Sequence, residues 1–182
     1  MRAVYLASAL ALGACGGGET STGRDDGPAI GRSDDTSGDE GMGVPPVEGS
    51  IELSLRRADG TFLEVGDLRG RRVLLVLIAT FDGTSQMLLH PLREFAEAHP
   101  DVTLVGVDVE PSARLLVGAY EQALEPPFPL GYDPEELVLA GTSTLGEILE
   151  VPTLIALDER GVELQRISGF QRADAIAALF GE

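Results

Sequence analysis

The chain has 182 residues, 43% of them hydrophobic, and its 30 acidic residues outnumber 13 basic ones for a formal net charge of −17. That length and apolar content suit one domain with a real core plus an appendage. The acidity argues against nucleic acid, whose phosphates need clustered cations, and against adsorption to anionic lipid headgroups. A single cysteine, Cys15, leaves no internal disulfide in any compartment.

The opening stretch MRAVYLASALALGAC sets Arg2 ahead of an apolar run from Ala3 to Leu12. That run is too short to cross a ~30 Å hydrocarbon core as a helix, but it suits the h-region of an export signal. Leu12-Gly13-Ala14-Cys15 then resembles a bacterial lipobox: an aliphatic residue, two small residues and cysteine. The resemblance implies that residues 1–14 are a signal peptide cleaved before Cys15. It further implies that the Cys15 sulfur is diacylated and that the product is an exported lipoprotein whose partner is the membrane. Gly16, rather than aspartate, follows the cysteine. In a Gram-negative envelope that implies sorting to the outer membrane.

Residues 15–50 carry the lipidated cysteine and a tether. From Gly16 to Ser50 there are ten glycines, eight acidic residues and almost no large apolar side chain. Such a segment cannot bury enough surface to offset its ordering entropy, and disorder is expected. With glycine-rich statistics its root-mean-square span is roughly 30–35 Å, and full extension reaches about 115 Å. Asp34, Asp35, Asp39 and Glu40 lack the alternating oxygen ligands and bidentate glutamate of a calcium loop.

The folded domain is expected over 51–182. IELSLRRADGTFLEV is a hairpin turning at Asp59-Gly60. DLRG is a short turn. RRVLLVLIAT is a near-continuous apolar run suited to a central strand covered on both faces. Met87, Leu88, Leu92 and Phe95 fall at helical spacing, and Pro91 inside that pattern predicts a kink. VTLVGVDVE is a second buried strand, and SARLLVGAYEQAL a second helix ended by Pro126-Pro127. EELVLAGTSTLGEILE is expected to be partly helical. A hairpin turning at Glu159-Arg160-Gly161 and a terminal amphipathic helix complete the domain. The order predicts an α/β fold with a mixed sheet between helix layers.

DLRGRRVLLVLIATF, FPLGYDPE, EVPTLIALDERGVEL and the final helix resemble, in their order and spacing, the thioredoxin-like superfamily. The likeness is to its TlpA-type and alkyl-hydroperoxide-reductase/thiol-specific-antioxidant branch, and it covers about 130 residues. It implies a thioredoxin-like three-layer sandwich with a mixed central sheet and an N-terminal β-hairpin. An inserted strand and helix are expected within Ser112–Leu149. Val151-Pro152-Thr153 matches the cis-proline loop of that family.

Relatives of this type place Cys-x-x-Cys at the start of the first helix, where exposed amides and the helix dipole lower a thiol pKa. Counting from Ala79-Thr80-Phe81, the two cysteine positions are Asp82 and Ser85; counting back from Pro91, they are Gly83 and Gln86. Neither register holds a cysteine, so neither dithiol exchange nor thiolate peroxidase chemistry has a nucleophile here. No residue of the loop is assigned a catalytic role, and Asp82 or Thr84 is expected to cap the helix. His90, five residues past Ser85, lies off its helical face, and His90 and His99 would sit about 13 Å apart along a helix, so no metal site and no cofactor are expected. What survives is a candidate groove of Phe81, Asp82, Gly83, Thr84 and Ser85 facing Val151, Pro152 and Thr153. The resemblance implies that it takes an extended polypeptide by strand addition. Phe81 would offer apolar contact, Asp82 negative charge and Thr153 a hydroxyl.

The lipobox reading has a direct check. Several acyl chains at ~0.8 kcal/mol per buried methylene hold a protein firmly in a membrane. Cys15→Ser is expected to leave no lipid-labelled form after metabolic labelling with radioactive palmitate; normal labelling of that variant would contradict the assignment.

Overall fold

A computed structural model describes residues 45–181 of the chain. The expected signal peptide, Cys15 and the tether up to Val44 lie outside the described residues. Ser50, directly ahead of the expected domain start at Ile51, is already joined to the fold. It is buried and bridges Val162, and the Ile51 amide donates to the Gly161 carbonyl at 2.8 Å.

The first hairpin pairs β1 (Ser54–Arg57) with β2 (Phe62–Glu64). Its turn is set by Asp59, whose carboxylate accepts both the amide (2.9 Å) and the hydroxyl (2.6 Å) of Thr61. Gly60 supplies the left-handed φ of 85° that the turn requires. The apolar run becomes β3 (Arg72–Ile78), buried from Val73 onward. Its residues can alternate between two apolar faces because both are covered. Leu74, Val76 and Ile78 point to one core, and Val73, Leu75 and Leu77 to the other.

Four more strands complete the sheet: β4 (Val102–Asp108), β5 (Leu130–Tyr132), β6 (Thr153–Leu157) and β7 (Glu163–Ser168). Their order is β2-β1-β5-β4-β3-β6-β7. β3, β4 and β5 run parallel, while β6 and β1 pair antiparallel to their neighbours. The second hairpin, β6–β7, turns where expected, with Gly161 at φ 80°. β5, together with the helix α3 (Ala113–Leu124) before it, supplies the inserted strand and helix.

The helix after β3 is interrupted earlier than its proline. α1 (Gly83–Met87) and α2 (Leu89–Ala98) meet at Leu88, not at Pro91. Pro91 has no amide to give the Met87 carbonyl four residues back, so the ladder fails in the turn preceding the ring. The chain closes with α4 (Ala173–Ala177) and a short 3₁₀ turn, Ala178–Phe180.

Two expectations about helices need correction. No helix forms between Pro134 and Glu150; the segment is a series of turns. Glu136, Gly141 and Gly146 all have positive φ, which a right-handed helix does not admit. The Asp133 carboxylate also takes the Glu135 and Val138 amides at 2.9 Å each, holding them in a turn. The sheet consequently does not lie between two helix layers. α2, α3 and α4 pack on the Leu74 face. The opposite face is covered by Ile51 and Leu53, by Val65 of a 3₁₀ turn, and by Val138 and Leu145 of the turn segment. Thr144 ties that cover together, its hydroxyl accepting the Glu52 amide (3.0 Å) and donating to the Glu52 carbonyl (2.9 Å). The three layers are there, and one of them is irregular.

Gly106 in β4 shows how tightly the helical side is packed. A Cβ there would lie 2.5 Å from the Phe128 ring and 2.7 Å from Leu130. Gly106→Ala is expected to destabilise the domain by about 1–3 kcal/mol in urea denaturation. An unchanged midpoint would mean that Phe128 can turn aside.

Candidate functional site

The parallel strands deliver their carboxyl ends to one edge of the sheet, and the loop after β3 emerges there. Ala79 and Thr80 are still buried, whereas Phe81 is 76% exposed. Asp82 is the N-cap of α1, with its Oδ2 accepting the Ser85 amide at 2.7 Å and the Ser85 hydroxyl at 2.8 Å. Thr84, the other candidate cap, does not take that role. Partial burial works against the Asp82 charge, but the Ser85 amide, the Ser85 hydroxyl and the Thr84 amide outweigh it and hold the carboxyl below the usual range. Asp82 and Ser85, the first-register pair, are thus in side-chain contact. The second-register pair is not: Gly83 faces open space, and Gln86 folds back to donate to the Thr80 carbonyl at 2.9 Å.

Ser85 is wholly buried, with no surface from which its hydroxyl could reach a substrate. His90 lies on the outside of α2, 3.5 Å from Glu94, and His99 stacks on Phe95 with ring centroids 4.6 Å apart. Among the described residues no group of three or more metal-ligating side chains gathers anywhere.

The second half of the candidate groove arrives through β6. Leu77 pairs with Thr153 in the antiparallel ladder, so the chain just before β6 runs beside the chain just after β3. The Val151–Pro152 peptide bond there is cis. The Pro152 carbonyl accepts the Gly169 amide at 2.8 Å. Val151 itself is half-buried, and among the described residues neither its amide nor its carbonyl has a hydrogen-bond partner. The side chain of Thr153 does not face a ligand as expected. It is buried, and its hydroxyl donates to the Glu150 carbonyl (2.7 Å) and meets the Ser168 hydroxyl (2.9 Å). β6 is buried on both faces, so the side chain is enclosed whichever way it points, and a buried hydroxyl must find partners inside. Leu149, at 84% exposure, replaces it as the conspicuous side chain on that lip.

Two residues that sequence reasoning passed over lie beneath the loop. Glu110 accepts the Thr80 amide at 3.3 Å and also the Thr80 hydroxyl. Asp108, the last residue of β4, accepts the Glu110 amide at 3.3 Å. Both carboxyls are buried, at 3% and 7% exposure. Burial first, and the neighbouring Glu110 charge second, push Asp108 up to about 7. Burial and the Asp108 charge likewise push Tyr120 up to about 12. A signal was present in the sequence: VDVE places two acids two apart, hence on one face, at the end of a buried strand.

No protein-family model and no curated protein sequence matches the chain. Solved structures do. StoA from Bacillus subtilis shares 21% identity at a TM-score of 0.56, over 75% of this chain and 99% of that one. A thiol:disulfide interchange protein of the thioredoxin family from Chlorobium tepidum gives 19% and 0.60, over 76% and 96%. The pneumococcal exposed lipoprotein thioredoxin Etrx1 from Streptococcus pneumoniae gives 20% and 0.59, over 72% and 99%. The chain therefore has the thioredoxin-like α/β fold.

Loss of the cap is measurable. Asp82→Ala is expected to lower stability by about 1 kcal/mol near neutral pH, in the usual 0.5–2 kcal/mol range for such caps. The Asp82 carboxyl is held low in the folded state, so its contribution is present above the ordinary carboxylate range and is lost as the pH falls through the folded value. The gap between wild type and variant should close on acidification; a gap independent of pH would assign the effect to something other than the charge.

Proposed function

We propose that this is an exported, lipid-anchored thioredoxin-like domain without thiol redox chemistry of its own, which works by holding an extended polypeptide strand at the cell envelope. The observation that carries the reading is the Val151 backbone. Its amide and carbonyl are without partners among the described residues, at the edge where exposed Phe81 and Leu149 flank the loop pair. A strand added there gains main-chain hydrogen bonds from Val151 and apolar contact from the two lips. The Asp82 carboxylate, held ionised by its amides, favours a strand with Arg or Lys near its centre, and that preference weakens as salt rises. The single cysteine lies in the lipobox, which supports binding rather than dithiol exchange. Export fits the signal-like N-terminus, and Etrx1 is itself described as an exposed lipoprotein.

A second reading has one observation in its favour. Solved neighbours carry the names of thiol:disulfide interchange proteins. On that reading the chain acts within a thiol–disulfide exchange reaction, with every reacting sulfur supplied by its partners.

Phe81→Asp separates these ideas from a disused groove. Phe81 is exposed, so the substitution should leave the melting temperature within the small range of surface changes. Removing its apolar contact, worth about 1.5–3 kcal/mol when fully buried, should weaken an unstructured Arg-containing peptide about tenfold or more in NMR titration. Shifts in the wild type should centre on Val151 and Phe81. Equal affinity in the variant, or shifts on another face, would move the binding surface elsewhere. In the same preparation, insulin reduction by dithiothreitol should run at the rate of a control without protein.

A further inference from the structure

We propose that Asp108 and Glu110 share one proton, and that this shared proton fastens the Phe81 loop to the sheet through Thr80. Each carboxyl has one engaged oxygen and one bare one. Asp108 accepts the Glu110 amide through Oδ1, and Glu110 accepts the Thr80 amide and hydroxyl through Oε1. The remaining atoms, Asp108 Oδ2 and Glu110 Oε2, are both buried and have no partner. The Glu110 amide on Asp108 Oδ1 holds the two acidic residues against one another in this buried site. Two ionised carboxylates cannot hydrogen-bond one another, since both only accept; one proton between them supplies the missing donor and satisfies both.

No donor or cation among the described residues is bonded to either free oxygen. Both carboxyls line a cavity of about 260 Å³ together with Arg114, Asp133, Glu136 and Tyr132, and Arg114 forms no ion pair with either of them. Burial and the Asp108 charge raise the pKa of the Tyr120 hydroxyl on α3, which is buried and makes no hydrogen bond to Asp108. Arg93 of α2 acts on Tyr120 but donates to the Leu124 and Glu125 carbonyls, at 2.6 and 2.8 Å. Metal-ligating side chains do not gather in threes among the described residues. A proton is the cation the geometry accommodates.

The consequence reaches the candidate groove. Thr80 immediately precedes Phe81, and its amide and hydroxyl both end on Glu110. While the proton is shared, Glu110 is held against Asp108 and the loop is fixed. When a solvent base removes it, two like charges face each other in a buried site, and Glu110 is driven outward with its hold on Thr80. The folded chain keeps a proton that the unfolded chain releases near the ordinary ~3.9. Stability from this pair is therefore fully present below that value and is lost as pH rises through about 7. The arrangement stands whether or not the groove takes a peptide.

The test is a carbon-13 carboxyl titration of the labelled full chain from about pH 4 to about pH 9, following the Thr80 amide in parallel. One carboxyl of the pair should titrate near neutrality, and the Thr80 amide should shift with the same midpoint. Its exchange, corrected for base catalysis, should rise about tenfold or more across that range, a factor of about ten being what a single unit of pKa perturbation represents. If both carboxyls titrate in the ordinary acidic range, or Thr80 does not respond, the proposal is overturned. Asp108→Asn places a permanent donor opposite Glu110 and should keep Thr80 protected at high pH. Glu110→Gln should return Asp108 toward the ordinary range. Loss of Thr80 protection in Asp108→Asn with the wild-type midpoint would also overturn it, and the wild-type titration decides the matter if either variant fails to fold.

Discussion

The structure depends on burying β3 on both faces while pairing it on both edges. Each side chain from Val73 to Ile78 meets apolar neighbours, and each backbone group must find its partner in β4 or β6 because no water reaches it. An apolar strand with one open face would be an aggregation surface. Two covering layers are therefore obligatory. α2, α3 and α4 supply one, and the other is assembled from turns and the N-terminal segment. That irregular layer is held by specific bonds, such as the reciprocal pair between Thr144 and Glu52, rather than by a helix face.

The same constraint places the candidate site. The parallel run of β3 and β4 brings the loops carrying Phe81 and Glu110 to one edge. The antiparallel pairing of β3 with β6 brings the Val151–Pro152 loop to it from the other side. The edge is shaped by backbone geometry, and nothing in that geometry depends on cysteine. At the helix start, Asp82 and Ser85 form a carboxylate–hydroxyl–amide cap. The amides at that helix start stabilise a carboxylate.

Beneath the loop the polar groups are arranged less conservatively. Asp108 and Glu110 are carboxyls in a site that disfavours charge, and without a shared proton their free oxygens would carry the cost of an unsatisfied network. Thr80 connects that site to the exposed lip one residue away. The rigid sheet and the exposed edge are thus joined by a short polar contact whose strength depends on protonation.

Much of this was legible in the sequence. The apolar run of β3, the two glycine turns at Gly60 and Gly161, a helix start capped by Asp82 or Thr84, and the missing cysteines are local features, and local sterics and periodicity determine them. Other elements were decided only by tertiary contacts. Thr153 turns inward because its strand is covered on both faces, which no short window reveals. The segment after Asp133 has helical composition, yet it is held in turns by that carboxylate and by contacts with Glu52 far earlier in the chain. Glu110 meets Thr80 across 30 residues, a contact that exists only once β3 and β4 lie side by side. The alternation of one strand determines which way a side chain points; the packing of distant strands decides what it meets there, because burial and hydrogen bonding are properties of neighbours in space.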